Sequence, residues 1–215
     1  MGLTKALARF KMLTTGKAIH HSMKRPSRLI ALYSPTPQCG KSTAAKWLWT
    51  HGFTIVSFAN PVRSMAINML MSLGYNEKQA YELVTTRKHE VIPELGVTGR
   101  HILRKLGTEF GRDLIHPDLW VMCSRNALRT ANPVANDDLR FPNEFDLIKE
   151  LGGEAWRVTS ERPGFAPPDA SHASDGLLEG FPFDRHLRND GTLAEFHSQV
   201  LDALNAYYGQ NPAQC

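Results

Sequence analysis

Ser34-Pro35-Thr36-Pro37-Gln38-Cys39-Gly40-Lys41-Ser42-Thr43 separates two segments of contrasting pattern. Before it, Arg28-Leu29-Ile30-Ala31-Leu32-Tyr33 is the short apolar run of a buried strand; after it, Thr43-Ala44-Ala45-Lys46-Trp47-Leu48-Trp49 reads as a helix. Strand, tight turn and helix in that order gather backbone N–H groups at a helix N-terminus, with the Lys41 ammonium and the Ser42 hydroxyl beside them. A nucleotide's phosphates need that combination of convergent donors, a point cation and a hydroxyl for the accompanying metal. Gly40, Lys41, Ser42 and Thr43 are therefore candidate nucleotide-binding residues. Loops of this kind usually have a glycine five residues before Gly40, where this chain has Pro35. Proline holds φ near about −65° and donates no hydrogen bond, so the start of this loop must follow its own path.

Outward from the loop, strands and helices alternate. Gly52 ends the first helix, and Phe53-Thr54-Ile55-Val56-Ser57-Phe58 predicts a second strand, β-branched and largely apolar. A helix over residues 61–73 follows, closed by Gly74. Residues 75–99, with Glu77, Lys78, Arg87, Lys88 and Glu90, carry no strand signal and are expected to form helices or a flap over the site. Helices are predicted over 100–114 and 117–130, Pro117 suiting the first position of the latter. Pro133-Val134-Ala135-Asn136-Asp137-Asp138 predicts a short strand ending in acids. A helix over 143–151, closed by Gly152 and Gly153, then leads to a strand from Glu154 to Val158. Residues 162–183, rich in Pro, Gly, Ala and Asp, read as a lid-like loop. A strand near His186-Leu187-Arg188 precedes an amphipathic helix over 193–208, with Phe196, Val200, Leu201, Leu204 and Tyr207 on one face. The pattern predicts an α/β fold with a doubly wound, mainly parallel sheet whose ligand sits beyond the strands' carboxyl ends.

The 215 residues suffice for one such domain, residues 28–210, with 75–99 and 162–183 as insertions and 211–215 as a tail. The formal charge of +4 is unevenly spread: Lys5, Arg9, Lys11, Lys17, Lys24 and Arg25 fall in residues 1–27, which contain no acid. These are six of the 25 basic residues, and the remaining 19 face 21 acidic ones, so the body is about neutral. The basic extension is expected to be a flexible, solvated segment, with nucleic-acid contact the less favoured alternative. Cys39, Cys123 and Cys215 are odd in number and share no close spacing. That argues against a disulfide framework or a zinc site and for a reducing, cytoplasmic setting. No apolar run approaches the roughly 20 residues needed to cross a bilayer, so no membrane partner is expected.

Phosphoryl transfer asks a protein mainly for positioning and charge compensation. Asp137 and Asp138 put an acid at a strand end beside the loop. Either could hold a metal's water shell or orient the attacking oxygen, and either could instead cap the following helix. Arg112 and Arg140 could each grip two phosphate oxygens, an ordinary salt bridge being the alternative. Trp47, Trp49 and Trp120 sit at helical positions and read as core or contact residues rather than base-stacking ones.

Four further segments occur in order: Phe58-Ala59-Asn60-Pro61-Val62-Arg63; Leu106-Gly107-Thr108-Glu109-Phe110-Gly111-Arg112 with Trp120-Val121; Asp138-Leu139-Arg140-Phe141-Pro142-Asn143-Glu144; and His172-Ala173-Ser174-Asp175. Together they resemble the phage deoxynucleoside monophosphate kinases, over residues 28 to 208. The resemblance implies a P-loop NTPase fold of NMP-kinase type, with ATP as donor, Mg²⁺ as cofactor and a deoxynucleoside 5′-monophosphate as acceptor. It further implies the host cytoplasm as location if the chain is phage-encoded, and leaves a homodimer open. On matching positions, Lys41 and Ser42 would hold donor phosphates and metal, and Asp138 would be the acidic strand end with a metal and catalytic role. Arg63 would lie near the acceptor phosphate, where family members commonly have lysine. Thr108, Glu109 and Arg112 would line the acceptor site, Arg140 would complete the catalytic group, and Arg162 and His172 would reach substrate from the lid. The chain departs from the family at Pro35, at Asn60 for an aspartate, at Arg104 for a glutamine and at Asp175 for a glutamate. Two other readings stand beside this one. The acceptor could be a hydroxymethylated base in DNA or dephospho-coenzyme A, or the chain could be a nucleotide-binding scaffold without turnover.

Overall fold

β1 (Leu29–Tyr33) is buried at all five residues, which a strand achieves only with partners on both edges and cover on both faces. In the computed structural model, which describes residues 28–162 and 176–210, both conditions are met. After β1 the chain forms α1 (Lys41–Thr50), β2 (Thr54–Ile55), α2 (Asn60–Ser72), α3 (Glu77–Val84), β3 (Val91–Ile92), β4 (Val97–Thr98) and α4 (Gly99–Arg104). A π-helix (Lys105–Ile115) continues α4 and leads to α5 (Leu119–Thr130), β5 (Val134–Asn136), α6 (Pro142–Glu150), β6 (Glu154–Thr159), β7 (Arg185–Arg188) and α7 (Leu193–Gln210). The main sheet has the order β2-β5-β1-β6-β7 and every pairing in it is parallel. β1 is central, so the loop that follows it opens beside the loop that follows β5. The α/β, doubly wound fold expected from the sequence is the fold observed.

Side-chain alternation along β1 builds both cores. Ile30 and Leu32 join Ala44 and Leu48 of α1 and Phe196, Val200, Leu204 and Tyr207 of α7. Leu29, Ala31 and Tyr33 join Val121 and Leu128 of α5 and Phe145 and Ile148 of α6 on the other face. Each large apolar side chain so buried contributes about 1.5–3 kcal/mol, and the helix that carries Lys41 is thereby fixed to the sheet. A third cluster, Ala66 and Leu70 of α2, Leu83 and Val84 of α3, Ile92 and Ile102, ties α2, α3, β3 and α4 together. α3 and α4 touch where a Cβ at Gly99 would lie 1.8 Å from the Leu83 carbonyl oxygen; no other residue fits there.

Several elements differ from the sequence expectation. The strand predicted over 53–58 pairs only at Thr54–Ile55, because Ser57 and Phe58 turn away to meet Asp137 and Asp138. Residues 75–99 hold not only α3 but an antiparallel hairpin, with Val91 opposite Thr98 and Ile92 opposite Val97. Those strands are two residues each, too short for alternation to be visible. The helix over 100–114 changes from α to π at Lys105. Leu201 is 38% exposed while the other four residues predicted on the apolar face of α7 are buried. Trp49 is 60% exposed rather than a core residue, whereas Trp120 is buried. Of the 162–183 segment, residues 163–175 lie outside the described residues, as do 1–27 and 211–215. Its C-terminal part packs on the core rather than hanging free: Leu178 is fully buried, Phe181 meets the Phe145 edge and Phe183 stacks on Tyr33.

Candidate nucleotide and phosphate site

α1 begins at Lys41 behind Gly40, whose φ of 101° lies in the left-handed region, and no side chain caps it and no acid sits in its first turn. The first N–H groups of a helix have no partner inside it, so the Lys41, Ser42 and Thr43 end of α1 is open to an anion. The loop before it is tied internally. The Ser34 hydroxyl donates to the Thr36 carbonyl at 2.6 Å, the Thr36 hydroxyl meets the Cys39 thiol at 2.8 Å, and Gln38 takes a positive φ of 65°. These side-chain ties hold a loop whose first turn, with Pro35 and Pro37, has given up two backbone donors.

Lys41 is half-buried and makes no ion pair or side-chain hydrogen bond with a described residue. Loss of water around the ammonium, then the Arg140 charge, pull its pKa down to about 8; Asp138, Asp137 and Glu144 pull it up. Ser42 and Asp137 line one open groove of about 630 Å³ alongside α1. Asp137 receives the Ser57 hydroxyl on Oδ1 at 2.5 Å, which leaves Oδ2 for another partner. Asp138 is used differently: its oxygens accept the backbone N–H groups of Phe58 (2.7 Å) and Ala59 (2.9 Å) and the Asn136 amide (3.1 Å). It anchors the start of α2 to the end of β5. Asp137 is thus the carboxylate that shares a groove with Ser42, and Asp138 the one that fixes the frame.

Beyond β5 a second cleft, about 220 Å³, opens between Phe58–Arg63, Lys88, the α4 to π-helix segment and Arg140. Its walls carry Arg63, Lys88, Arg100, Arg104, Arg112 and Arg140, against the carboxylates of Asp138 and Glu144. The side chains of Lys88, Arg100, Arg104 and Arg140 make no hydrogen bond or ion pair with any described residue, and Arg63 donates to Asn60 Oδ1 at 2.9 Å. Burial, then Arg100, Arg63 and Arg140, lower the Lys88 pKa. Like charges held together without counterions repel one another, and an anion relieves that repulsion.

Arg112 serves the cleft wall from within. It donates to the Gly107 carbonyl at 3.0 Å and to Glu144 Oε1 at 2.8 Å, and lies 3.9 Å over the Phe141 ring. Burial and then Asp138 raise the pKa of the Glu144 carboxyl, while Arg112 and the N–H groups of Arg140 and Phe141 oppose them. Glu144 Oε2 holds both N–H groups, so this buried pair sets the backbone from which the Arg140 side chain projects. The Gly107 carbonyl also accepts from Trp120 Nε1 at 2.6 Å.

Of the residues expected at the site, Ser42 lines the groove and Asp138, Arg140, Arg112, Arg63 and Thr108 line the cleft; Lys41 lines neither but begins α1, where the charges of Arg140, Asp138 and Asp137 act on it. Glu109 is not brought there; it is exposed and pairs with Lys105 at 2.6 Å, one helical turn away. Arg162 lies at the end of β6, where its charge acts on Asp190, and lines neither space. His172 falls outside the described residues. Sequence reading missed Lys88 and Arg100 as cleft residues, since in a polar stretch a cation that faces a cavity has the same letters as one that faces water. Among the described residues no group of three or more His, Cys, Asp or Glu could form a metal cage, and no helix is long and apolar enough to cross a membrane.

Over 184 residues the chain is 32% identical to a protein of Acanthamoeba polyphaga mimivirus named "Putative deoxynucleotide monophosphate kinase", covering 77% of this chain and 91% of that one. A shorter match, 31% identical over 71 residues, is to the "Deoxynucleoside-5′-monophosphate kinase" of Escherichia phage T5 and covers 32% of this chain and 28% of that one. No protein-family profile matches the chain. Among solved structures, TT1252 from Thermus thermophilus aligns over 86% of this chain and 98% of its own, at 16% identity and a TM-score of 0.48. A dephospho-CoA kinase from Campylobacter jejuni aligns over 83% of this chain and 96% of its own, at 13% identity and a TM-score of 0.42.

Proposed function

Since the chain belongs to the deoxynucleotide monophosphate kinase family, we propose that it transfers the γ-phosphoryl group of ATP to deoxynucleoside 5′-monophosphates, giving the diphosphates and ADP. The observation that carries the assignment of roles is the position of Arg140. Its charge acts on Lys41 at the phosphate loop and on Lys88 in the cationic cleft. Arg140 lines the cleft and follows β5, the neighbour of β1, which supports a place for it between a donor at the loop and an acceptor in the cleft. Transfer passes through a state whose charge is spread over the moving group, and the Arg140 guanidinium, which makes no hydrogen bond or ion pair with a described residue, would bind it there.

Around that residue the roles divide. The N-terminus of α1 and Lys41 hold the donor phosphates, while Arg63, Lys88 and Arg100 hold the acceptor's phosphate, with Thr108 on the same wall. Arg112 and Asp138 act as framework, through Glu144 and through the start of α2. Ser42 and Asp137 fit a Mg²⁺ ion, which commonly takes one or two protein oxygens and the rest from phosphate and water. When bound, the ion would offset phosphate charge. We place the protein in the cytoplasm, that of the host if it is phage-encoded.

A coupled ADP-release screen of ATP with each deoxynucleoside monophosphate tests the reading. ADP formation should depend on the added monophosphate and fall by about 10²–10³-fold in Arg140→Ala, the scale for removing a preorganised donor to transition-state charge. Wild-type protein that binds ATP but forms no ADP with any of these acceptors would refute it.

A further inference from the structure

We propose that Asn189, in the loop between β7 and α7, is a positioning residue for the phosphate-binding loop: its side-chain amide fixes the Cys39–Gly40 peptide so that the Gly40 N–H faces the bound ATP phosphates. This rests on the reading above that the loop binds ATP. The side chain donates from Nδ2 to the Cys39 carbonyl oxygen at 3.1 Å, across 150 positions of sequence. A trans peptide is planar, with its C=O and N–H pointing in opposite directions. Drawing the Cys39 carbonyl toward Asn189 therefore turns the Gly40 N–H to the other side.

Asn189 is itself held. Its N–H donates to the Thr159 carbonyl at 2.8 Å and its carbonyl accepts the Ser160 hydroxyl at 2.9 Å, so the amide projects from the fixed ends of β6 and β7. The contact is close enough to shape the sequence at Gly40. A Cβ there would lie 2.4 Å from Asn189 Nδ2 and 3.3 Å from the buried Phe196 ring, besides facing the strain of a φ of 101°. Such a brace matters in this chain because Pro35 and Pro37 cannot supply backbone donors of their own. The orientation of the last donor before Lys41 is thus set from the end of the edge strand β7.

Two substitutions separate donation from packing. Asn189→Asp keeps the size of the side chain, but its acceptor oxygens repel the Cys39 carbonyl; Asn189→Ala leaves room for water to donate instead. The expected order of kcat/KM for ATP is Asn, then Ala about 3–10-fold lower, then Asp about 10–100-fold lower, on the scale of a lost against an opposed buried hydrogen bond. KM for the deoxynucleoside monophosphate should change less than twofold, because the acceptor cleft does not touch Asn189. If Asp matched wild type and Ala was the worse variant, Asn189 would be packing only and the proposal would fail. A proportional change in both substrates' KM would also overturn it. A wild-type protein without ATP-dependent turnover in the same assay would instead count against the kinase reading.

Discussion

Lys41 keeps its ammonium half-buried with no described acidic side chain bonded to it, and loss of water with the nearby Arg140 charge brings its pKa to about 8. Since the unfolded value is 10.5, the folded chain binds fewer protons than the unfolded chain between those two pH values. Stability therefore rises as pH increases from about 8 to 10.5, and below about 8 the full cost of the charge is present. Lys41→Met should stabilise the ligand-free protein at pH 7 by about 1–2 kcal/mol, seen as a rise in Tm of roughly 2–6 °C, while turnover is lost. A Tm that fell would mean the ammonium is better solvated than its surroundings indicate. Phosphate restores the missing counter-charge, so ATP binding should favour the protonated form. Above pH 8 the complex must take up a proton, and ATP affinity should fall toward tenfold per pH unit in titration calorimetry, a dependence that Lys41→Met removes. At this scale Lys41 and Ser42 could be read from their letters, since strand, turn and helix leave the first helical residues one place to go. The choice between Asp137 and Asp138 could not, because it depends on the Ser57 hydroxyl reaching Asp137 while the N–H groups of Phe58 and Ala59 reach Asp138.

The π-helix shows what pattern reading misses at the level of elements. Spacing over 100–114 is consistent with a continuous α-helix, and nothing local marks Lys105 as the point of change. The Gly107 carbonyl is taken by Arg112 and by Trp120, 5 and 13 residues away, and the second of these partners arrives only when α5 folds back on the segment. Gly111 permits that approach: a Cβ there would lie 2.2 Å from the Trp120 ring. Gly111→Ala should displace Trp120, cost about 1–3 kcal/mol in chemical denaturation as an overpacked core does, and raise the acceptor KM more than the ATP KM. Equal effects on the two would show that the π-helix supports the whole fold rather than the cleft. The lid-like reading of 162–183 has a similar origin. Gly, Pro and Asp dominate its composition, while Leu178, Phe181 and Phe183, which fasten its C-terminal part, follow at steps of three and two that fit neither a helix nor a strand period.

For the molecule as a whole, a body with 19 basic and 21 acidic residues nonetheless concentrates cations in one place. Arg63, Lys88, Arg100, Arg104 and Arg140 arrive from α2, the α3–β3 connection, α4 and the loop after β5, and only the topology brings them together. Composition therefore described a neutral domain with a basic N-terminal segment, and the charged cleft emerged when the order β2-β5-β1-β6-β7 set the loop after β5 beside the phosphate loop. A cleft of one sign draws in an oppositely charged ligand, and salt weakens that attraction as the screening length shortens from about 10 Å at 0.1 M. Raising NaCl from about 50 to 300 mM should increase KM for the deoxynucleoside monophosphate about 3–10-fold. Arg100→Gln, at the exposed rim, should raise KM at low salt and flatten the dependence, with kcat changed less than twofold. If KM were indifferent to salt, or if Arg100→Gln lowered kcat as strongly as Arg140→Ala, the division between a steering rim and a residue at the transferring group would have to be redrawn.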